Sequence, residues 1–160
     1  MKKVKVYFAS PLFSAMEQEY NANVVKKLRA ANPNLDIYLP QENMAINDKS
    51  LYADSLMIAR GDNERLDDSD LLIAVLDGVA IDVGVATEIG YAYARGVKTI
   101  GLYTDVRQGL GATSDKIDAL TSQVAENQFH YINLYTIGCI KDNGKIVVSL
   151  DELIKEVENL

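Results

Sequence analysis

The sequence predicts an α/β protein of the doubly wound, flavodoxin-like or Rossmann-like class: an open parallel sheet of about five strands with helices on both faces. Strand-like and helix-periodic segments alternate along the chain, and Leu71-Leu72-Ile73-Ala74-Val75-Leu76 is continuously apolar. A strand with one wetted face would alternate apolar and polar residues, so an unbroken run belongs to a parallel strand covered on both sides. With 160 residues, 48% of them hydrophobic and only 3 prolines, residues 1–160 are expected to form one domain with its own core.

Taken in order, Val4 to Ala9 is β-rich and stops at Ser10-Pro11. Met16, Tyr20, Val24 and Leu28 then recur every fourth residue, the expected inward stripe of a first helix. Asn32-Pro33-Asn34 ends that helix, Asp36 to Pro40 reads as a short second strand, and Gln41 to Lys49 as a polar loop. Leu56, Ala59 and Leu66 mark a second helix leading to the central strand between Asp70 and Asp77. A loop from Gly78 to Asp82 opens a third helix, Val83 to about Gly96, with Val85, Ile89, Ala92 and Gly96 as its inward stripe. Thr99 to Thr104 is the fourth strand. A Gly-rich loop (Gly109, Gly111), helical segments and a last strand at Lys145 to Val148 follow, and Ser149 with Glu152 forms a capping box for the final helix. Right-handed crossovers then put the ligand site at the carboxyl ends of the strands, in the loops 9–13, 41–49, 77–82 and 105–114.

Composition narrows the function. A formal charge of -7 disfavours nucleic acid and anionic membranes, both of which are held by clustered Lys and Arg. The single cysteine, Cys139, cannot form an internal disulfide, and with one histidine, His130, no zinc or iron–sulfur site of the usual ligand types can be built. Neither a G-x-G-x-x-G nor a P-loop is present. The expectation is a cytoplasmic enzyme with no metal and no cofactor, since the start of the chain runs directly into a strand without an apolar signal region.

The acids are the chemistry. Asp77-Gly-Val-Ala-Ile-Asp82-Val-Gly84-Val-Ala-Thr87-Glu88 puts carboxylates at the mouth of the central strand. Glu88 falls about 70° from the centre of the inward stripe, on the flank of a buried face. Near a helix start its ionised form would be favoured by the macrodipole, as suits a nucleophile. An ordinary salt-bridged helix residue fits the same position equally well. Asp82 fits an N-cap as well as a site residue, and Asp62 fits an ion pair with Arg65 three residues on. Asp67, Asp68 and Asp70 read as solvated turn residues, Tyr7 and Phe13 as core aromatics, and His130 as structural.

Together these residues form a pattern. Val6-Tyr7-Phe8-Ala9 with Phe13 after it, Asp62 before the central strand, and Asp82-Val-Gly84-x-x-x-Glu88-x-Gly90-Tyr91-Ala resemble the nucleoside 2-deoxyribosyltransferases, from the first strand to at least Asn127. The resemblance implies that Glu88 attacks C1′ of a 2′-deoxynucleoside, that Tyr7 orients Glu88, that Asp62 protonates the leaving base and that Asp82 helps bind the substrate. It implies Phe13 against the base and Asn127 donated to a neighbouring subunit's site, in a homo-oligomer, a hexamer by that resemblance. The family's base-contacting Gln has two candidates here, Gln41 and Asn43, with Met44 at the directly aligned position. The terminal helix, residues 150–160, departs from relatives that place their terminal carboxylate in the site.

Such a reaction needs an anion below C1′ and a proton donor at the base. One carboxylate cannot do both. Asp62 must then be protonated near neutral pH, through an apolar setting or a neighbouring carboxylate such as Asp82. Partners would be 2′-deoxynucleosides and free nucleobases, serving salvage. The nearest alternative is an N-glycosidase of deoxynucleosides or their 5′-monophosphates using the same residues, although Ala9-Ser10-Pro11-Leu12-Phe13 and Val83-Gly84-Val85-Ala86 lack a Ser, Gly and Arg set for a phosphate. A non-enzymatic nucleotide sensor would leave the acids as caps and surface pairs.

Overall fold

A computed structural model describes residues 3–47, 52–108, 112–127, 129 and 131–160. Five parallel strands, β1 (Val4–Ala9), β2 (Leu35–Tyr38), β3 (Leu71–Val75), β4 (Lys98–Leu102) and β5 (Gly144–Val147), form one sheet in the order β2-β1-β3-β4-β5. The connections run through α1 (Ala15–Ala31), α3 (Ser55–Asp67), α4 (Val83–Arg95) and α6 (Leu134–Asn143), with α2 (Met44–Asn47), α5 (Ser114–Ser122) and the terminal α7 (Leu150–Val157) completing the fold. The chain order reverses between β1 and β3, the switch point at which doubly wound sheets open a ligand crevice.

The sheet splits the core in two. Val6 and Phe8 point to the face covered by Val24, Val25 and Leu28 of α1 and Leu153 and Val157 of α7. Tyr7 and Ala9, one residue out of phase, point to the face covered by Val85, Ile89 and Ala92 of α4 and Ile137 and Ile140 of α6. All five residues of β3 are buried, as a strand covered on both faces requires.

Several expected details shift. Met16 and Tyr20 do not join the inward stripe of α1: Met16 is 78% exposed, and the buried set is Asn21, Val24, Val25 and Leu28. Only Leu66 of α3 is buried, and Leu56 is exposed, so that helix touches the sheet mainly through its last turn. Gly96 does not face inward but terminates α4 at φ 73°, the left-handed position that a residue without Cβ occupies freely. Pro40, read as a strand end, instead starts a 3-10 turn, Pro40–Glu42. At α7 Ser149 accepts from Glu152 N, but the Glu152 carboxylate reaches Val148 N at 3.0 Å instead of closing the box on Ser149. A complete capping box, unread in the sequence, sits at Ser14 and Glu17. Gly144 is required by contact: a Cβ there would lie 1.8 Å from Thr99 O on β4. Gly109, Gly111 and His130 lie outside the described residues.

Candidate active site

At the carboxyl edge of the sheet, over the β1/β3 switch point, lies a cleft of about 640 Å³ lined by Tyr7, Ser10, Phe13, Gln41, Asp62, Asp82 and Glu88, among others. A second hollow of about 410 Å³ meets it at Asp62, Gly84 and Glu88. Each carboxylate arrives from a different element, Asp62 from α3, Asp82 from the loop after β3 and Glu88 from α4.

Tyr7 is fully buried in β1, and its hydroxyl donates to Glu88 Oε1 at 2.6 Å. The phenol is pushed far above its ordinary value, chiefly by burial and then by the charge of Glu88, so it stays a donor at any working pH. This bond spans two elements 81 residues apart, and it singles Glu88 out from an ordinary surface acid. Among the described residues no cation pairs with Glu88.

The electrostatics differ from expectation. Glu88 is raised from 4.5 to about 7, first by burial and further by Asp62 and Asp82, while the Tyr7 bond acts in the opposite direction. The macrodipole does not prevail, because Glu88 stands at the sixth position of α4, beyond the first turn where the effect acts. The free amides there are also already satisfied: Asp82 Oδ1 accepts from Gly84 N at 2.9 Å and Val85 N at 3.1 Å. Asp82 is therefore an N-cap that also lines the cleft. Asp62 is raised too, but by burial, opposed by Tyr7; the expected assistance from Asp82 falls on Glu88 instead. The expected Asp62–Arg65 ion pair does not form. Arg65 lies over the Tyr38 ring, its guanidinium carbon 4.9 Å from the centroid.

Other candidates separate clearly. Phe13 is 83% exposed at the cleft, not a core residue. Gln41 lines the cleft, its amide fixed by donation to Gln18 O (2.9 Å) and by acceptance from Asn21 Nδ2 (3.1 Å). Asn43 is not in the cleft wall; it donates to the Tyr38 hydroxyl at 3.1 Å and accepts from Ala45 N. Asn127 is not brought to this chain's own cleft, and its side chain accepts from Phe129 N at 2.8 Å. Asp77, beside the cleft in sequence, is structural: it accepts from Thr104 N at 2.7 Å and Thr104 Oγ1 at 2.8 Å, locking the ends of β3 and β4 together.

The sequence reading missed Ser10, Gln18 and Tyr38. Ser10 is buried in the cleft wall, and among the described residues its Oγ is the buried side-chain polar atom without a partner. Tyr38 packs against Tyr7, ring centroids 5.3 Å apart at 50°. Its position at the carboxyl end of β2, the strand next to β1, was the available signal. Among the described residues no helix is long and apolar enough to cross a membrane, and no group of three His, Cys, Asp or Glu could hold a metal.

A doubly wound sheet that opens a cleft with two partly buried carboxyls at its switch point has the architecture in which α/β enzymes hold their ligands. The model of the family described as nucleoside 2-deoxyribosyltransferase matches residues 6–150. The chain accordingly belongs to the nucleoside 2-deoxyribosyltransferase family. Among solved structures it is similar to a conserved protein of Enterococcus faecalis V583, with 54% identity, TM-score 0.92 and 98% of each chain covered. It shares its fold with the 2-deoxyribosyltransferase of Leishmania mexicana, at 20% identity, TM-score 0.66 and coverage of 98% of this chain and 97% of that one. The same holds for the 2-deoxyribosyltransferase of Bacillus psychrosaccharolyticus, at 18% identity, TM-score 0.63 and coverage of 94% and 90%. A search of curated proteins finds no match.

Proposed function

We propose that the enzyme exchanges the base of 2′-deoxynucleosides through a covalent deoxyribosyl–Glu88 intermediate, with retention of configuration and in the service of base salvage. The observation that carries this reading is the 2.6 Å Tyr7–Glu88 hydrogen bond within a cleft that also holds Asp62. Glu88, ionised and held by Tyr7, attacks C1′ as the C1′–N bond breaks; Asp62 delivers its proton to the departing base. In the second half, Asp62 takes a proton from the incoming base, whose nitrogen attacks C1′ and expels Glu88. Two inversions give net retention.

Burial raises both carboxyls, and the roles divide by geometry: Glu88 is the one held by the Tyr7 hydroxyl at 2.6 Å. Burial biases Asp62 toward the protonated form that suits a base leaving as an anion, and Glu88 at about 7 is about half ionised at neutral pH while keeping the nucleophilicity of a more basic carboxylate. Phe13 packs on the base, Gln41 reads its edge, and Asp82 offers its second oxygen to the sugar. The exposed Phe13, Leu56 and Met57, with Asn127 outside its own cleft, support a homo-oligomer in which a neighbour's Asn127 completes the site and water is excluded from the intermediate.

Incubation with thymidine and free adenine should yield deoxyadenosine and thymine, and Glu88→Ala should abolish the exchange. Thymine released only alongside free deoxyribose would make the enzyme an N-glycosidase. No consumption of any deoxynucleoside would overturn the reading.

A further inference from the structure

Asp62 and Arg65 are one helical turn apart on α3, a spacing at which opposite charges are natural partners. An Arg within about 4–6 Å of an Asp lowers the carboxyl by about 1–3 pH units and holds it as the carboxylate. A carboxylate has no proton to give to a departing base. In this chain the guanidinium lies instead over Tyr38, at 4.9 Å.

Tyr38 is itself fixed. Its hydroxyl accepts from Asn43 Nδ2 at 3.1 Å, and its ring packs on Tyr7 at 5.3 Å. Tyr7 in turn holds Glu88. The guanidinium of Arg65, the rings of Tyr38 and Tyr7 and the carboxylate of Glu88 thus form a continuous chain from α3 through β2 and β1 to α4. The planar, weakly hydrated guanidinium stacks on an aromatic face better than an ammonium would.

We propose that Tyr38 is a positioning residue: its ring holds the Arg65 guanidinium, so that this charge is withheld from Asp62 and the Asp62 carboxyl is left able to carry the proton for the base. This rests on the reading of Asp62 as the general acid. The ionisable groups around Asp62 are Tyr7 from β1, Tyr38 from β2, Arg65 on its own helix, Glu88 from α4 and Asp82 from the loop before it. Burial raises Asp62 and Tyr7 opposes it; the stack keeps a second, stronger opposing charge away.

The test is a carbon-detected NMR titration of the Asp62 carboxyl in the full chain, in wild type, Tyr38→Leu, Arg65→Met and the double variant. Removing the ring frees Arg65, so Tyr38→Leu should titrate about 1 unit below the double variant, which has the same cavity but no guanidinium. Wild type and Arg65→Met should agree. If Tyr38→Leu and the double variant titrate together, or if Arg65→Met alone raises the midpoint by a similar amount, the proposal is overturned. Tyr38→Val carries the same comparison if the Leu variant does not fold. In base exchange, the alkaline limb of the kcat/KM profile should move down with the titration in Tyr38→Leu and return in the double variant. A wild type that exchanges no base would sink the role of Asp62 while leaving the titration result intact.

Discussion

Glu88→Gln should stabilise the protein while destroying its chemistry, and the gain should depend on pH in a defined direction. The folded state raises Glu88 from 4.5 to about 7, so the charged form is the one that folding penalises. Below about pH 4.5 the group is protonated whether the chain is folded or not, and contributes nothing. Between about 4.5 and 7 the folded state holds more proton than the unfolded one, so stability falls as pH rises; above about 7 the full penalty applies. The difference between the two values corresponds to about 3 kcal/mol as an upper figure. Gln keeps the shape and can still accept from Tyr7, but it does not titrate. For a chain of this size about 1 kcal/mol moves the melting temperature by about 2–4 °C, so Glu88→Gln should exceed wild type by up to about 6–12 °C at pH 8 and by little at pH 4. Calorimetry across that range decides it. A Glu88→Gln curve parallel to that of wild type at all pH values would show that Glu88 is not desolvated, and the account of the site would fail with it.

Tyr7→Phe removes the one bond that favours ionised Glu88, so the acid limb of kcat/KM should move above pH 7, with about a 10–100-fold loss at pH 7 from a hydrogen bond to a charged group; an unmoved limb would deny Tyr7 its role. Asp62→Asn should cost about 10²–10⁴ in exchange of natural bases, yet little with a nitrophenyl deoxyriboside, whose leaving group needs no proton; equal losses on both substrates would contradict general acid catalysis. Shared sites can be tested by mixing Glu88→Gln with Asn127→Ala after subunit exchange. Activity should reappear, because some sites then combine an intact Glu88 with an intact neighbouring Asn127, and two inactive proteins that stay inactive on mixing would argue that each subunit works alone.

The architecture was legible because it follows from two periodicities. The unbroken apolar run 71–76 could only be a strand covered twice, and the stripe of α4 through Val85, Ile89 and Ala92 set which way Glu88 would lean. Side-chain direction was legible as well: Tyr7 had to face α4 once Val6 and Phe8 faced α1. What could not be read locally was company. Whether Asp62 would pair with Arg65 or Arg65 would turn to Tyr38 depends on β2 and α3 meeting across 27 residues of chain, which no helix-local rule contains. Likewise the balance at Glu88 turned on desolvation, a property of the assembled cleft, whereas sequence position suggested only the helix terminus. The apolar residues of α3 misled for a related reason. Leu56 and Ala59 are periodic enough with Leu66 to suggest a core stripe, yet both are exposed and only Leu66 is buried.

The central claim is a covalent bond between Glu88 and the sugar. Rapid quench of the enzyme with a 2′-deoxynucleoside in the absence of an acceptor base, followed by intact-protein and peptide mass spectrometry, tests it directly. The account predicts one deoxyribosyl unit per chain, located on Glu88, lost on addition of adenine and never formed by Glu88→Gln. An adduct on another residue, or exchange that proceeds at full rate with no adduct at all, would contradict it.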